Sequence, residues 1–445
     1  MKPPPMDGIL RKALKSGGSR FLQLSRAPIG PAPEGQYRHW HTLRHVAPPN
    51  GLTPEEWWLA IKLARQHLYQ ALPITAKDGS PFVYAPHGVA QRMLHEIDRD
   101  AGGAIRGVDP INNPATRNTY LLKSLFEEAI TSSQLEGAAT TAEVAKDMLR
   151  LQRPPRNRSE QMIFNNYQAM QFIRSLGTQP LTPAIVFELQ RILTHETLDD
   201  PDAAGRFRKP SEEIHVVDAP TGKTLHKPPE AHDLPRRMDV VCSLANDTDD
   251  ETFLHPVVRA VLLHFAVGYD HPFVDGNGRT ARALFYWAMH RYGYWLCEFI
   301  SISSILNKAP AKYAEAYLYT ETDDNDVTYF VLSQLRVVLR AIEKLHKILA
   351  KKTEELRRTQ DQLQQSATLR SALNHRQLAV VNHALKNPLF SYTIESHKGS
   401  HTISYQTARS DLMELADLGL LERTRFRRRY EFKAPADLHE RIQNM

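Results

Sequence analysis

The sequence predicts a mainly α-helical protein of more than one domain, and three observations carry that reading. A chain of 445 residues is too long for one ordinary hydrophobic core. Helical stretches follow one another almost without a break from Thr53 to about residue 365. Strand-like alternation is scarce over the same span, with its main exception between Glu213 and His226. Hydrophobic residues make up 42% of the chain and charged residues 24%, the balance of a globular protein in water. No apolar run is long enough to span a bilayer, and the opening Met1-Lys-Pro-Pro-Pro-Met lacks the apolar segment of a secretory signal. Cys242 and Cys297 are the only cysteines, which argues for a reducing compartment and against a disulfide framework or a structural zinc. The expectation is a cytoplasmic protein without a membrane partner.

Taken in order, residues 1–50 are rich in Pro, Gly and basic residues and are expected to form an irregular arm. Residues 51–200 form an N-terminal helical region. It opens at Thr53-Pro-Glu-Glu, with an N-cap Thr, Pro at the first helical position and early acids. Glu213 to His226 holds two short runs around a Pro/Gly turn and reads as a β-hairpin emerging from the helical body that continues to 345. Ile342, Leu349, Leu356 and Leu363 recur every seventh residue, but Lys352 and Thr359 are polar where a coiled coil needs a second stripe. Residues 346–369 are therefore read as a linker helix. Residues 370–445 give two helices, the second capped by Ser404 and stopped at Gly419, then a run with Arg423, Arg425, Arg427, Arg428 and Arg429. Helix, helix and basic hairpin form a winged helix-turn-helix layout. Tyr405, Gln406, Thr407 and Arg409 would open its recognition helix and the arginines would meet phosphates, so duplex DNA is a candidate partner of 370–445. Docking to protein is the alternative use of the same fold. The net charge of +6 suits anionic ligands but decides nothing alone.

The chemistry concentrates in His271-Pro-Phe-Val-Asp-Gly-Asn-Gly-Arg-Thr-Ala-Arg282. Gly276 and Gly278 let the backbone turn sharply and approach a ligand, and a helix starts near Asn277. A glycine loop leading into a helix N-terminus offers unpaired N–H groups, an anion site. Arg279 and Arg282, three apart, can clamp further phosphates from one side. Asp275 supplies a hard oxygen for the Mg²⁺ that rides on di- and triphosphates, and His271 is a base that titrates near neutral pH.

This segment resembles the signature of the Fic family, His-Pro-Phe-x-(Asp/Glu)-Gly-Asn-Gly-Arg-x-x-Arg, with every fixed position filled. The similarity extends from about residue 40 to 350, through Ser132-Ser-Gln-Leu-Glu-Gly and Gly205-Arg-Phe-Arg. It implies a helical fold with a catalytic core over 201–345 that transfers AMP from ATP to a Tyr, Thr or Ser hydroxyl of a target protein. It further implies that His271 is the general base, that Asp275 holds Mg²⁺, and that Asn277 contacts the α-phosphate within an anion hole of Gly276 and Gly278. Arg279 would hold the β-phosphate region and Arg282 the γ-phosphate. The Gly-Asn-Gly form favours AMP transfer over phosphate transfer, though the motif does not fix ATP over other nucleoside triphosphates.

Ser132 and Glu136, four apart on one helix face around 130–140, resemble the family's inhibitory motif (Ser/Thr)-x-x-x-Glu-(Gly/Asn). The resemblance pairs Glu136 with Arg282, which blocks the γ-phosphate site. In some relatives the same glutamate positions water to remove AMP. It makes the 213–226 hairpin a flap that aligns the target by strand addition. Tyr313 and Tyr317 stand on the helix where relatives contact the base, although a Tyr stripe at this spacing is as readily core. His255 and His264 read as capping or packing residues. The basic tail is similar to the winged helix found behind many bacterial Fic domains. A homodimer is compatible with the resemblance. The rival of another class is a DNA-binding regulator whose Fic core only senses nucleotide, and the intact His271 argues against it.

Overall fold

A computed structural model describes residues 2–15, 19–49, 51–102, 114–217, 221–246, 253–365, 372–388, 390–426 and 429–444. The chain divides into two compact units, residues 1–103 with 124–342, and residues 104–123 with 343–445. The fold is mainly α-helical, as the sequence predicts.

At the centre of the first unit, helix Pro256–Asp270 packs against helix Asn277–Arg291. Val257 to Val267 are buried without interruption, so this helix is apolar all round and belongs inside the protein. His255 caps it, its Nδ1 accepting the Val257 N–H, and Pro256 follows at the first helical position. Helices Arg158–Ser175, Pro183–Thr194 and Leu234–Asn246 pack around this pair. Thr53 and Glu56 form a full capping box at the start of helix Pro54–Gln66.

The first fifty residues are not an irregular arm. Helices Met6–Lys15, Ser19–Arg26 and Trp40–Leu43 bury Ile9, Ala13, Leu24, Trp40 and Leu43 against Trp57, Trp58, Leu59 and Ile61. Pro and Gly between short amphipathic helices dominate the local composition, and the large Trp face that rewards folding lies outside the segment. A hairpin of strands Gln70–Thr75 and Pro81–Tyr84 was also hidden, because Pro73 and Pro81 argue against strands while Leu72, Ile74, Phe82 and Tyr84 are buried. The expected hairpin is present as Val216–Val217 paired antiparallel with Thr224–His226. In its Pro/Gly turn, residues 218–220 lie outside the described residues, while Gly222 is described at φ +67°.

Helix Thr328–Gln365 spans the expected linker, with Ile342 and Leu349 buried on its stripe. The side chains of Leu356 and Leu363 lie outside the described residues. In the second unit, helices His375–Lys386, Ile394–His401 and Tyr405–Asp417 enclose Val381, Ala384, Leu412 and Leu415 with Phe432. A three-stranded sheet places Arg429–Lys433 between Ser391–Tyr392 and Glu422–Phe426. Ser404 caps the Tyr405–Asp417 helix and Gly419 follows it at φ +73°, as expected of a cap and a stop. Arg427 and Arg428 lie outside the described residues. Among the described residues no helix is long and apolar enough to cross a membrane.

Candidate functional site

His271 is itself the left-handed cap of helix Pro256–Asp270, at φ +46°. A non-glycine residue there costs about 1–3 kcal/mol unless its surroundings hold it. Arg208 does so: its Nε donates to the His271 carbonyl at 2.9 Å and its N–H to the Pro272 carbonyl at 2.9 Å. The His271 Nδ1 lies 3.2 Å from the Gly268 carbonyl. A carbonyl only accepts, so the proton sits on Nδ1 and Nε2 keeps its lone pair. Burial pushes the His271 pKa down to about 4, opposed by the bond to Gly268, so the ring is neutral at pH 7.

The loop that follows is shaped from within. Phe273 is fully buried, with Phe187 and Phe207 at ring centroids 6.3 and 6.4 Å away. Asn277 accepts the Phe273 N–H on Oδ1 at 2.9 Å and donates from Nδ2 to the Phe273 carbonyl at 2.8 Å. The residue expected on a phosphate thus fastens the loop. Gly276 sits at φ +85°, and a Cβ there would meet Thr194 Cγ2 at 2.9 Å. No side chain caps the helix that starts at Asn277, and its first intrahelical bond runs from the Thr280 N–H to the Gly276 carbonyl. The N–H groups of the first turn are therefore left without intrahelical acceptors, an arrangement that suits an anion.

Asp275 accepts the Gly276 N–H at 2.6 Å and Arg279 Nη2 at 3.1 Å, with its side chain 38% exposed. Arg279 is fully buried and also donates to the Leu193 carbonyl at 2.8 Å. Among the described residues no group of three or more His, Cys, Asp or Glu gathers to hold a metal alone. One half-open carboxylate beside an anion cradle fits Mg²⁺ carried in on phosphates, which needs only one or two protein oxygens.

Arg282 is 1% exposed and is bound by the helix Pro114–Leu135 and the turn after it. Its Nε donates to Ser132 Oγ at 2.9 Å, and its Nη2 to the Ser132 carbonyl at 3.0 Å and Glu136 Oε1 at 2.8 Å. Burial alone would lower its pKa; Glu136, Tyr313 and Glu128 together outweigh that and raise it. A Cβ at Gly278 would collide with Glu136 Oε1, so this carboxylate lies over the start of the anion site. One turn behind Ser132, buried Glu128 accepts Tyr286 Oη at 2.8 Å, Ser301 Oγ at 2.8 Å and the Ser303 N–H at 3.1 Å.

Tyr313 and Tyr317, on helix Pro310–Thr322, join the aromatic cluster behind the loop. The Tyr313 hydroxyl is 2.6 Å from His264 Nε2 and acts on Arg282, while Tyr317 stacks on Phe265 at 5.3 Å. Tyr317 closes on Gly268, where a Cβ would collide with its hydroxyl, so glycine is needed beside the turn at His271. Both rings remain partly exposed, at once packing and lining. His264 is buried in packing, its pKa lowered to about 3 mainly by burial. His226, at the end of the hairpin, has Nε2 2.7 Å from the Tyr269 carbonyl.

Three further residues shape the site without having been singled out for a role. Arg208 stood in the quoted Gly205-Arg-Phe-Arg. Gln190 takes the Gly205 N–H at 2.5 Å and donates to the Asp275 carbonyl at 3.1 Å. Glu128 precedes Ser132 by four residues, a same-face spacing that could have revealed it.

A sequence profile of the Fic/DOC family matches residues 180–289. Protein adenylyltransferase Fic of Drosophila grimshawi is 29% identical over 248 residues, which cover 53% of this chain and 48% of the relative. Its namesake in Nematostella vectensis is 28% identical over 213 residues, covering 46% of each. This chain thus spans about half the length of these curated relatives. Among solved structures, a Fic family protein from Desulfovibrio desulfuricans G20 covers 79% of this chain and 98% of its own at a TM-score of 0.52 and 17% identity, a likeness of fold.

Proposed function

We propose that this chain, whose residues 180–289 match the Fic/DOC family, is a protein adenylyltransferase, moving AMP from ATP to a Tyr, Thr or Ser hydroxyl of a target protein. One observation carries the reading: a neutral imidazole with a free Nε2 lone pair stands beside an uncapped helix N-terminus. His271 Nε2 takes the proton of the target hydroxyl. The hydroxyl oxygen bonds to the α-phosphorus as the bond to the β-phosphate oxygen breaks, and pyrophosphate leaves in line. The N–H groups of residues 277–279 hold the α-phosphate oxygens, a fixed array aimed where charge develops. Asp275 would hold Mg²⁺, which supplies charge neutralisation on the phosphates. Arg279 steadies Asp275 and faces the β-phosphate, and Arg282 serves the γ-phosphate.

Arg282 cannot serve the γ-phosphate while Glu136 occupies it, so Glu136 acts as a brake. The same carboxylate is placed to orient a water for removal of AMP. The hairpin at 216–226 offers the exposed Val217 strand to the target backbone. In the second unit, exposed Tyr405 at a helix start and a hairpin carrying Arg423 and Arg425 support a winged helix that binds duplex DNA. The proposed setting is the cytoplasm. A second reading, a nucleotide-sensing DNA-binding regulator with little transferase activity, rests on that same unit.

The test incubates the full Glu136→Gly chain with ATP, Mg²⁺ and cell lysate and searches by mass spectrometry for AMP adducts. Adducts are expected with Glu136→Gly and absent when His271→Ala is added. No adduct on any protein, with nucleotide binding intact, would favour the regulator.

A further inference from the structure

We propose that Arg208 is a positioning residue for the proton acceptor: it locks His271 into its left-handed backbone state and places a fixed cation behind the imidazole. The inference rests on His271 being the base. Arg208 is 8% exposed, and every hydrogen bond it makes is to a backbone carbonyl. Nε reaches the His271 carbonyl, Nη2 the Pro229 carbonyl just beyond the hairpin, and the main-chain N–H the Pro272 carbonyl. Among the described residues no carboxylate pairs with it at ion-pair distance. Its neighbour Phe207 packs on Phe273, so one short segment braces the loop both by packing and by hydrogen bonds.

This arrangement suits positioning better than ordinary stabilisation. A buried guanidinium without a contacting carboxylate is costly: burial lowers its pKa, and Glu230 and Asp270, acting from beyond ion-pair distance, offset only part of that. A neutral side chain would fill the space at less cost. What the arginine adds is a rigid fork that holds two carbonyls at once, which a lysine cannot reproduce. The His271 carbonyl is the group whose direction defines the left-handed turn. With it held, the ring keeps its Nδ1 on Gly268 and Nε2 stays unbonded. Burial is the main cause that keeps His271 unprotonated; His226 and the Arg208 cation add to it, against the bond to Gly268 and the Glu136 carboxylate.

The experiment compares Arg208→Met and Arg208→Lys in the full Glu136→Gly chain. Histidine NMR titration, with His271→Asn to assign the signal, reads the His271 midpoint without requiring activity. Arg208→Met should raise that midpoint by about half a pH unit or more, since a nearby cation is lost. Arg208→Lys should leave it nearly in place. Both variants should lower kcat about tenfold or more with KM for ATP held within about twofold, because geometry is lost and the phosphate cradle is kept. An unmoved midpoint with undiminished kcat in Arg208→Met overturns the proposal, as does a parallel loss of ATP binding in both variants. If Arg208→Met does not fold, Arg208→Lys decides, with full kcat counting against. Should Glu136→Gly itself transfer no AMP, the transferase reading falls, and the titration still judges Arg208.

Discussion

Arg279 and Arg282 in the first unit, and Arg423 and Arg425 in the second, carry the same charge in opposite surroundings. The first two are 0% and 1% exposed and each has fixed oxygen partners. The other two lie exposed along strand Glu422–Phe426, where the Arg423 side chain meets Met413 Sδ at 3.3 Å and the Tyr430 ring at 5.4 Å. A buried cation has surrendered its water, so a ligand can gain it only by replacing the partner it already has. An exposed cation keeps its water and counterions, and binding through it releases ions into solution. The first arrangement suits a small ligand held in one pose. The second suits a long polyanion held loosely, and the two should answer differently to substitution, pH and salt.

The sharpest division is expected from Arg282→Ala placed on Glu136→Gly. Losing a fixed cation aimed at phosphate should cost transfer about 10²-fold or more. The loss should be the same at low and high salt in single-turnover assays. A loss that vanishes at high salt would place Arg282 with the exposed group.

Glu136→Gly alone should raise labelling of targets or of the chain itself about tenfold or more and enlarge the thermal shift given by ATP. The apo protein should melt lower, because Arg282 loses a partner. If labelling does not rise, the ion pair is structural and the brake is refuted.

Stability should respond to acid through the buried histidines of the first unit. His264 and His271 are held near 3 and 4 in the fold against an ordinary value of 6.5. Between those limits the unfolded chain binds more protons, so stability is full above about pH 6.5 and falls as pH drops toward 4. Carboxylates held low by arginines, such as Glu160 and Glu212 at about 2, lose their contribution only as pH falls below about 4.5, under the range of the melts. Thermal melts at pH 7.5, 6 and 5 should show the decline, which His264→Gln should reduce. A flat profile above pH 5 would contradict it.

The smallest effect is expected in the second unit. Replacing Arg423 or Arg425 by Ala should weaken duplex DNA binding modestly and shallow the log–log salt slope by about 0.9 per lost phosphate contact. A slope that stays put in fluorescence anisotropy would mean these arginines meet no phosphate.

What could be read from sequence follows the range of the interactions. Residues 271–282 were legible because base, glycines, acid and arginines lie within one turn and one helix start, where spacing is geometry. Ser132 and Glu136 share a helix face by their spacing, but their pairing with Arg282, 150 and 146 residues away, came only from the family resemblance. Arg208, Gln190 and Glu128 were not legible, since their partners lie 63, 85 and 158 residues away and only folding brings them together. The resemblance puts Asn277 at the α-phosphate; in the fold its side chain holds both main-chain groups of Phe273, four residues back. The N-terminal helices were missed through composition, as their prolines speak louder locally than the tryptophans that receive them.

The contact between helix Pro114–Leu135 and helix Asn277–Arg291 has a period. Glu128, Ser132 and Glu136 advance by four residues while Tyr286, Arg282 and Gly278 recede by four, so the helices mesh antiparallel like two racks of equal tooth spacing. Each tooth is about 6 Å, four residues at about 1.5 Å of rise. A slide of a fraction of a tooth would part Glu128 from the Tyr286 hydroxyl and Ser132 and Glu136 from Arg282 at once. Intermediate positions are therefore penalised. The mesh behaves as a detent, and release should come as a full disengagement of the segment around Glu136 rather than as a gradual loosening.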